Sequence, residues 1–334
     1  MKSARLIAAG TLALSDEPLP QLSTNDILVK VLSCGLCGTD LQYLHGELNP
    51  PGKLPLTLGH EPFGRVAAVG SSVSNIGLDD YVLVPCIIPC HECQMCRVGR
   101  ENLCTSMQIV GCSRDGAFAE FMSVPERAAL RIESDGTAAH ALFSESIPSA
   151  YHALFEVAKL SRGQRVLVMG TGGIGLTTVY LASVCDLEVT VVGRKLWKLE
   201  KARNLGASNA FSFNDLSKNR RDFDVAIDTT GIPAVIETGI RSIRPGGQVV
   251  VVGYPMKSFE VPGRRFMWYE QSIVGSRAFS HNTVLQAHML SKAKRLDPSK
   301  LVSHMLSLEK IDYAVSLLSK GDAARILILP SNSS

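Results

Sequence analysis

The stretch Arg165-Val-Leu-Val-Met-Gly170-Thr-Gly172-Gly-Ile-Gly175 decides the fold. Residues 165–169 form a continuous apolar run, the mark of a strand buried on both faces. The glycines at 170, 172 and 175 then fit G-x-G-x-x-G, with Gly173 and Ile174 completing the loop, and a helical stretch follows to about Ala182. The motif alone is weak; a buried strand before it and a helix after it are the confirming context. Gly170 permits the tight turn, Gly172 lets backbone approach a pyrophosphate, and Gly175 packs the helix on the strand. The helix N-terminus supplies unpaired N–H groups and the positive end of a dipole. The stretch therefore predicts a dinucleotide site.

Working outward, strand and helix keep alternating. Strands are expected at Val189 to Val192, Val225 to Asp228 and Gln248 to Val252, with helices at Trp197 to Leu205 and after Pro233. Such alternation with short connections predicts a doubly wound parallel sheet with helices on both faces, an α/β fold. Upstream, roughly the first 150 residues read as short strands and loops, with strands at Ile27 to Leu32, Phe63 to Val69 and Tyr81 to Val84. Leu6 to Leu14, broken by Gly10 and Thr11, reads as a first strand and turn rather than a leader. After Ser276 come helical stretches at Val284 to Ala293 and Lys310 to Leu318, then a strand at Ile326 to Leu329.

At 334 residues the chain suggests two domains. Its 46% hydrophobic and 19% charged residues describe an ordinary globular mix. Lys+Arg minus Asp+Glu is 34 − 31 = +3, too small a balance for a nucleic-acid binder or a polybasic membrane tether. No apolar run approaches the ~18 residues of a membrane span. The nine cysteines, odd in number and clustered, favour metal over disulfides and hence a reducing, cytoplasmic setting.

The end of the second strand bears on which dinucleotide binds. An NAD site carries a carboxylate there to grip the ribose hydroxyls. This chain has Val191-Val-Gly193-Arg194-Lys195, with Lys198 a turn later. Gly193 is expected to leave space, Arg194 to pair with a 2′-phosphate, and Lys195 and Lys198 to add positive charge. The alternative is a solvated basic turn; the absent carboxylate favours NADP(H).

Two cysteine constellations stand upstream. Cys90-x2-Cys93-x2-Cys96-x7-Cys104 brings four thiolates close enough to surround one Zn²⁺ with no open position, as in a structural site. An iron–sulfur cluster is the rival, disfavoured because no other electron-transfer feature is present. The second constellation is Cys34-Gly-Leu-Cys37-Gly-Thr-Asp40 with Gly59-His60-Glu61. Taken singly, Cys34 and Cys37 could be a redox pair and His60 a core histidine.

Cys-Gly-Thr-Asp, Gly-His-Glu, the four-cysteine lobe, the fingerprint glycines and Asp228-Thr-Thr-Gly231 follow one another in an order that resembles the zinc-containing medium-chain alcohol dehydrogenases along essentially the whole chain. The resemblance implies a β-rich GroES-like catalytic domain at 1–149 and 279–334, and a Rossmann NADP-binding domain at 150–278. It implies two Zn²⁺ per chain, one structural and one catalytic. Cys37 and His60 would be ligands of the catalytic zinc, with Glu145 in Phe143-Ser-Glu-Ser-Ile-Pro148 as the third; no cysteine lies near it, as in the polyol, threonine and glucose dehydrogenase branch. Glu61 would be an adjacent carboxylate or exchangeable ligand, and Asp40 would orient His60.

The same resemblance implies hydride transfer between NADP(H) and an alcohol or carbonyl compound, such as a secondary alcohol, polyol or ketone. Thr39 would take the alcohol proton. Gln42 stands where relatives often continue the relay with a histidine, and it cannot titrate. Thr230, Gly231, Gly253, Tyr254 and Ser276 would line the cofactor, and Arg325 would meet its pyrophosphate. Alternatives are reduction of a conjugated C=C bond, which Gln42 keeps open, and a non-catalytic zinc and dinucleotide-binding protein. A homodimer or homotetramer acting on a small molecule is the expected assembly.

Overall fold

The computed structural model describes residues 1–216 and 222–331. The chain forms two compact units. One comprises Met1–Glu145, Ser280–Val284 and Pro298–Ser334; the other comprises Ser146–Phe279 and Leu285–Asp297.

The second unit is built on six strands in the order Asn209–Ser212, Glu188–Gly193, Arg165–Met169, Phe223–Asp228, Ile243–Val251 and Ser272–Gly275. Every neighbouring pair is parallel. The chain runs outward from Arg165–Met169 in one direction and then restarts on its other side with Phe223–Asp228. That reversal makes a crevice at the carboxyl ends of these two strands, where ligands of such sheets bind. Val166, Leu167, Val168 and Met169 are all buried, as a strand covered on both faces requires. Helices Gly173–Val184, Leu196–Asn204 and Pro233–Ser242 supply crossovers, the last opening with proline at its first position, where no N–H is needed.

The first unit is β-rich. A seven-stranded sheet centres on Asp26–Leu36, which pairs antiparallel with Glu61–Val69, Phe121–Pro125 and the late strand Arg325–Leu329. Val302–Ser307 continues the sheet parallel to Arg325–Leu329. Thus the end of the chain returns to the strand that carries Cys34 and leads into Cys37. Residues 2–16 form a hairpin, Lys2–Ala8 and Thr11–Asp16, turning at Gly10 with φ +78°. Side chains of Ala4, Leu6, Ile27, Val29, Val31, Leu58, Phe118, Ile326 and Ile328 share one core.

The return to the first unit comes in two pieces rather than as a block from 279. The helix His281–Lys294 begins in the first unit, whereas residues 285–297 pack with the second. Polar ties hold that segment: Lys294 pairs with Asp186 at 3.3 Å, and the Asp297 N–H donates to the Tyr180 hydroxyl at 3.1 Å. Among the described residues no helix is long and apolar enough to cross a membrane.

Candidate active site and metal centres

Cys37 precedes a seven-residue helix, Gly38–Leu44. Asp40 sits in the first turn, fully buried, and its carboxylate accepts the backbone N–H of Cys37 at 2.9 Å. The same carboxylate accepts the Gly59 N–H at 3.3 Å and faces His60 Nδ1 at 3.4 Å. One buried anion thus ties the Cys-Gly-Thr-Asp segment to the Gly-His-Glu segment and leaves the other imidazole nitrogen to turn toward Cys37. Burial alone would lower the pKa of His60; Asp40, helped by Cys37, outweighs it and holds the imidazole above its usual value.

Ligand atoms of Cys37, His60 and Glu61 all lie within 4.8 Å of one another. A thiolate, an imidazole and a carboxylate so placed match the donor set of an open zinc site. Glu145 does not join this compact group. It ends the turn Ala138–Ser144, half-buried, and its carboxylate acts on the Cys86 thiol, which also feels His60 and Cys37. The adjacent Ser144 hydroxyl donates to the Pro62 carbonyl at 2.6 Å, which holds this segment beside the strand carrying Glu61.

Two features here were not visible from the motifs. Gly35 lies opposite Glu61 on the neighbouring strand, and a side chain at 35 would collide with the Glu61 carboxylate. Arg325, expected at a cofactor pyrophosphate, is buried with its guanidinium paired to Glu61 and beside Cys37. A buried guanidinium needs an anionic partner, and Glu61 is that partner. Thr39 is half-buried on the first turn of the short helix; Gln42 is half-buried on its second, and His45 is exposed at its C-cap.

The four-cysteine lobe is the second candidate centre. Cys90 and Cys96 sulfurs are 4.0 Å apart, and those of Cys93 and Cys96 are 3.5 Å apart. Tetrahedral zinc with bonds of about 2.3 Å sets its sulfurs about 3.8 Å apart, so the cage fits the ion. Backbone N–H groups point at the sulfurs: Cys90 N–H to Cys104 Sγ at 3.3 Å and Cys93 N–H to Cys90 Sγ at 3.4 Å. Backbone donors from Cys96 and Thr105 bring the Cys93 thiol down to about 5. No cysteine forms a disulfide. The remaining thiols at 34, 86, 112 and 185 have pKa values raised chiefly by burial, as inert packing residues do.

In the second unit the glycines divide their roles. Gly170 has φ +115°, and a side chain there would meet Thr229. A side chain on Gly175 would strike the Gly170 carbonyl, whereas one on Gly172 would meet nothing within 4 Å. Gly172 is the N-cap of Gly173–Val184, so open space stands against the helix N-terminus, where a phosphate is favoured. Ile174 is half-buried on the first turn. Asp228, buried, accepts the Thr230 N–H and hydroxyl and the Gly231 N–H, shaping the next loop. Gly231 and Gly253 let that loop touch the one bearing Tyr254: side chains on either would strike backbone. Tyr254 is exposed, and Ser276 is buried with its N–H on the Val251 carbonyl.

Two expectations at the strand end need correction. A side chain on Gly193 would come within 2.6 Å of Thr171, so that space is filled by the glycine-loop threonine rather than left for a phosphate. Lys198 is buried, its ammonium 5.3 Å from the Trp197 ring centroid, rather than part of an exposed basic surface. Arg194 and Lys195 are exposed.

Comparison with known proteins agrees with these features. Residues 23–134 match the alcohol dehydrogenase GroES-like domain, and residues 173–293 match the zinc-binding dehydrogenase family. L-threonine 3-dehydrogenase of Symbiobacterium thermophilum is 30% identical over 347 residues, covering 99% of this chain and 98% of the relative. Sorbitol dehydrogenase of Bacillus subtilis is 28% identical over 346 residues, covering 99% and 98%. A zinc-binding dehydrogenase of Sinorhizobium meliloti, solved bound to NADP, superposes with a TM-score of 0.91 at 28% identity, covering 98% of this chain and 99% of that one. With a GroES-like unit, an all-parallel dinucleotide sheet and this similarity along its whole length, the chain belongs to the zinc-containing medium-chain alcohol dehydrogenase superfamily.

Proposed function

We propose that this chain oxidises a secondary alcohol of the polyol or hydroxy-acid kind, or reduces the matching ketone, with NADP(H) and a catalytic zinc. The observation that carries the reading is the convergence of Cys37, His60 and Glu61 ligand atoms within 4.8 Å, oriented by buried Asp40. Relatives named for threonine and sorbitol oxidation support the substrate class. Cys37 and His60 would hold the metal, with Glu61 as the third donor in this arrangement; Glu145 stands outside the compact group. Cys90, Cys93, Cys96 and Cys104 would hold a second, structural zinc.

A bound zinc supplies a Lewis acid that lowers the alcohol's pKa and stabilises the oxyanion. The chain's own residues do the rest. Asp40 keeps His60 in one orientation, so the ligand set needs no rearrangement as charge develops. Arg325, buried and paired with Glu61, balances the charge of that carboxylate and fixes where it stands beside Cys37 and His60. Thr39 accepts the alcohol proton and hands it to water, because Gln42 cannot carry it further. The loop Gly170–Gly175 and the helix N-terminus hold the pyrophosphate, flanked by Thr230, Gly231, Gly253, Tyr254 and Ser276.

NADP(H) preference rests on exposed Arg194 and Lys195 with no carboxylate at the strand end. A charge-assisted bond from Arg194 to a 2′-phosphate is worth about 1.5–3 kcal/mol, so Arg194→Ala should lower kcat/KM for NADPH about 10–100-fold. The value for NADH should change little. Gly193 is the wrong position for this test, since any side chain there strikes Thr171. Equal losses with both cofactors, or equal use of both by the unmodified protein, would count against the assignment.

A further inference from the structure

We propose that His91, Glu101 and His281 form a third divalent-cation site, suited to Zn²⁺, on the flank of the four-cysteine lobe. One ligand atom from each of the three lies within 4.8 Å of the others. His91 Nδ1 and Glu101 Oε1 are 3.3 Å apart. Zinc with nitrogen and oxygen ligands at about 2.0–2.1 Å in tetrahedral geometry sets neighbouring donors about 3.3 Å apart. The spacing, which also suits a direct His–Glu pair, is compatible with two ligands sharing one ion.

Each side chain is aimed by its surroundings. Glu101 uses its other oxygen, Oε2, to accept the backbone N–H of His281 at 2.8 Å, which leaves Oε1 turned to His91. A ring N–H of His281 faces the Ile87 carbonyl. Its Nε2 is buried and meets no hydrogen-bond partner among the described residues. An imidazole with one nitrogen on a backbone carbonyl and the other bare is the arrangement by which proteins present histidine to a metal. A buried nitrogen without a partner is costly, and a cation removes that cost. His91 adopts φ +62°, a conformation that few residues other than glycine hold, and its ring lies 6.0 Å from that of His281.

The set differs in kind from the two centres described above. It has no thiolate, and its His91 edge is open to solvent, with the side chain 39% exposed. Two imidazoles and one carboxylate suit zinc, nickel or cobalt over magnesium or calcium, which prefer all-oxygen ligation. The three protein donors leave a fourth position for water. The site also joins distant parts of the first unit, because Glu101 and His281 are 180 residues apart. An ion there would tie the lobe to the start of the helix His281–Lys294.

The test is a Zn²⁺ titration of the intact holoprotein, against a chromophoric chelator, counting equivalents above the metal already resident in the same preparation. The unmodified protein should take one additional Zn²⁺ per chain with micromolar affinity. His281→Ala keeps the backbone N–H that Glu101 accepts and removes the ring. His91→Asn keeps a residue that tolerates positive φ. Each should weaken the additional equivalent at least tenfold, with resident metal and turnover unchanged. Hydrogen exchange in residues 89–104 and 280–284 should slow on Zn²⁺ addition in the unmodified protein and not in His281→Ala. No additional equivalent in the unmodified protein, or undiminished binding in both variants, would overturn the proposal. Because occupancy is read apart from turnover, this result and the catalytic reading fail or stand separately.

Discussion

His60→Ala should lower turnover of the best alcohol or ketone substrate by at least about 10³-fold, a loss of about 4 kcal/mol in transition-state stabilisation. His60 is buried and is tied through Asp40 to the Cys37 backbone, so no neighbouring side chain can take its place. The defect should fall on kcat, because stabilisation of a developing oxyanion acts in the transition state. NADPH should bind the variant as before, since its loop, Gly170–Gly175, belongs to the other compact unit. Metal analysis should show one zinc lost and one kept. Near-normal turnover, or loss of both zincs together with folding, would contradict the division of roles.

Cys96→Ser should act on stability instead. Of residues 91–104 only Asn102 and Cys104 are buried, so this lobe has almost no apolar core to fall back on. Under the proposed structural zinc its fold should depend on the cage, in which Cys96 lies 4.0 Å from Cys90 and 3.5 Å from Cys93. Binding of a structural zinc contributes folding free energy directly. Losing one of four thiolates should cost at least about 3 kcal/mol. At about 2–4 °C per kcal/mol this lowers the apparent Tm by about 10 °C. One equivalent of zinc should be lost, with the Cys37 and His60 centre still loaded at low temperature. An unchanged melting curve with both zincs present would refute the cage.

Residues 165–169 and 189–192 were legible because a strand covered on both faces must be apolar without interruption. Asn209–Ser212 and Ser272–Gly275 escaped notice: each is a four-residue edge strand, and an edge needs no such run. The pattern marks the helix after Ser276, but not that residues 285–297 join the second unit, which involves Lys294 and Asp297 meeting residues far upstream.

At the candidate sites the same rule applies. Four cysteines within fifteen residues announce a cage, because their ligand spacing is local. Arg325 and Glu61 are 264 residues apart, and nothing local to either marks the other as its partner. Gly35 reads as one more glycine until the strand Glu61–Val69 is laid beside it and the Glu61 carboxylate fills the missing side chain's place. Lys198 misled for a related reason: charge near a helix start suggests an exposed phosphate grip, whereas its position on Leu196–Asn204 turns it inward beside Trp197.

The most direct measurement is NADPH consumption and NADP⁺ reduction with a panel of ketones, polyols and hydroxy acids, before and after selective removal and return of the catalytic zinc. Turnover with at least one alcohol–ketone pair is expected, lost on zinc removal and recovered on adding back one equivalent of Zn²⁺. NADPH that binds but is never consumed across the panel, or turnover indifferent to zinc, would contradict it.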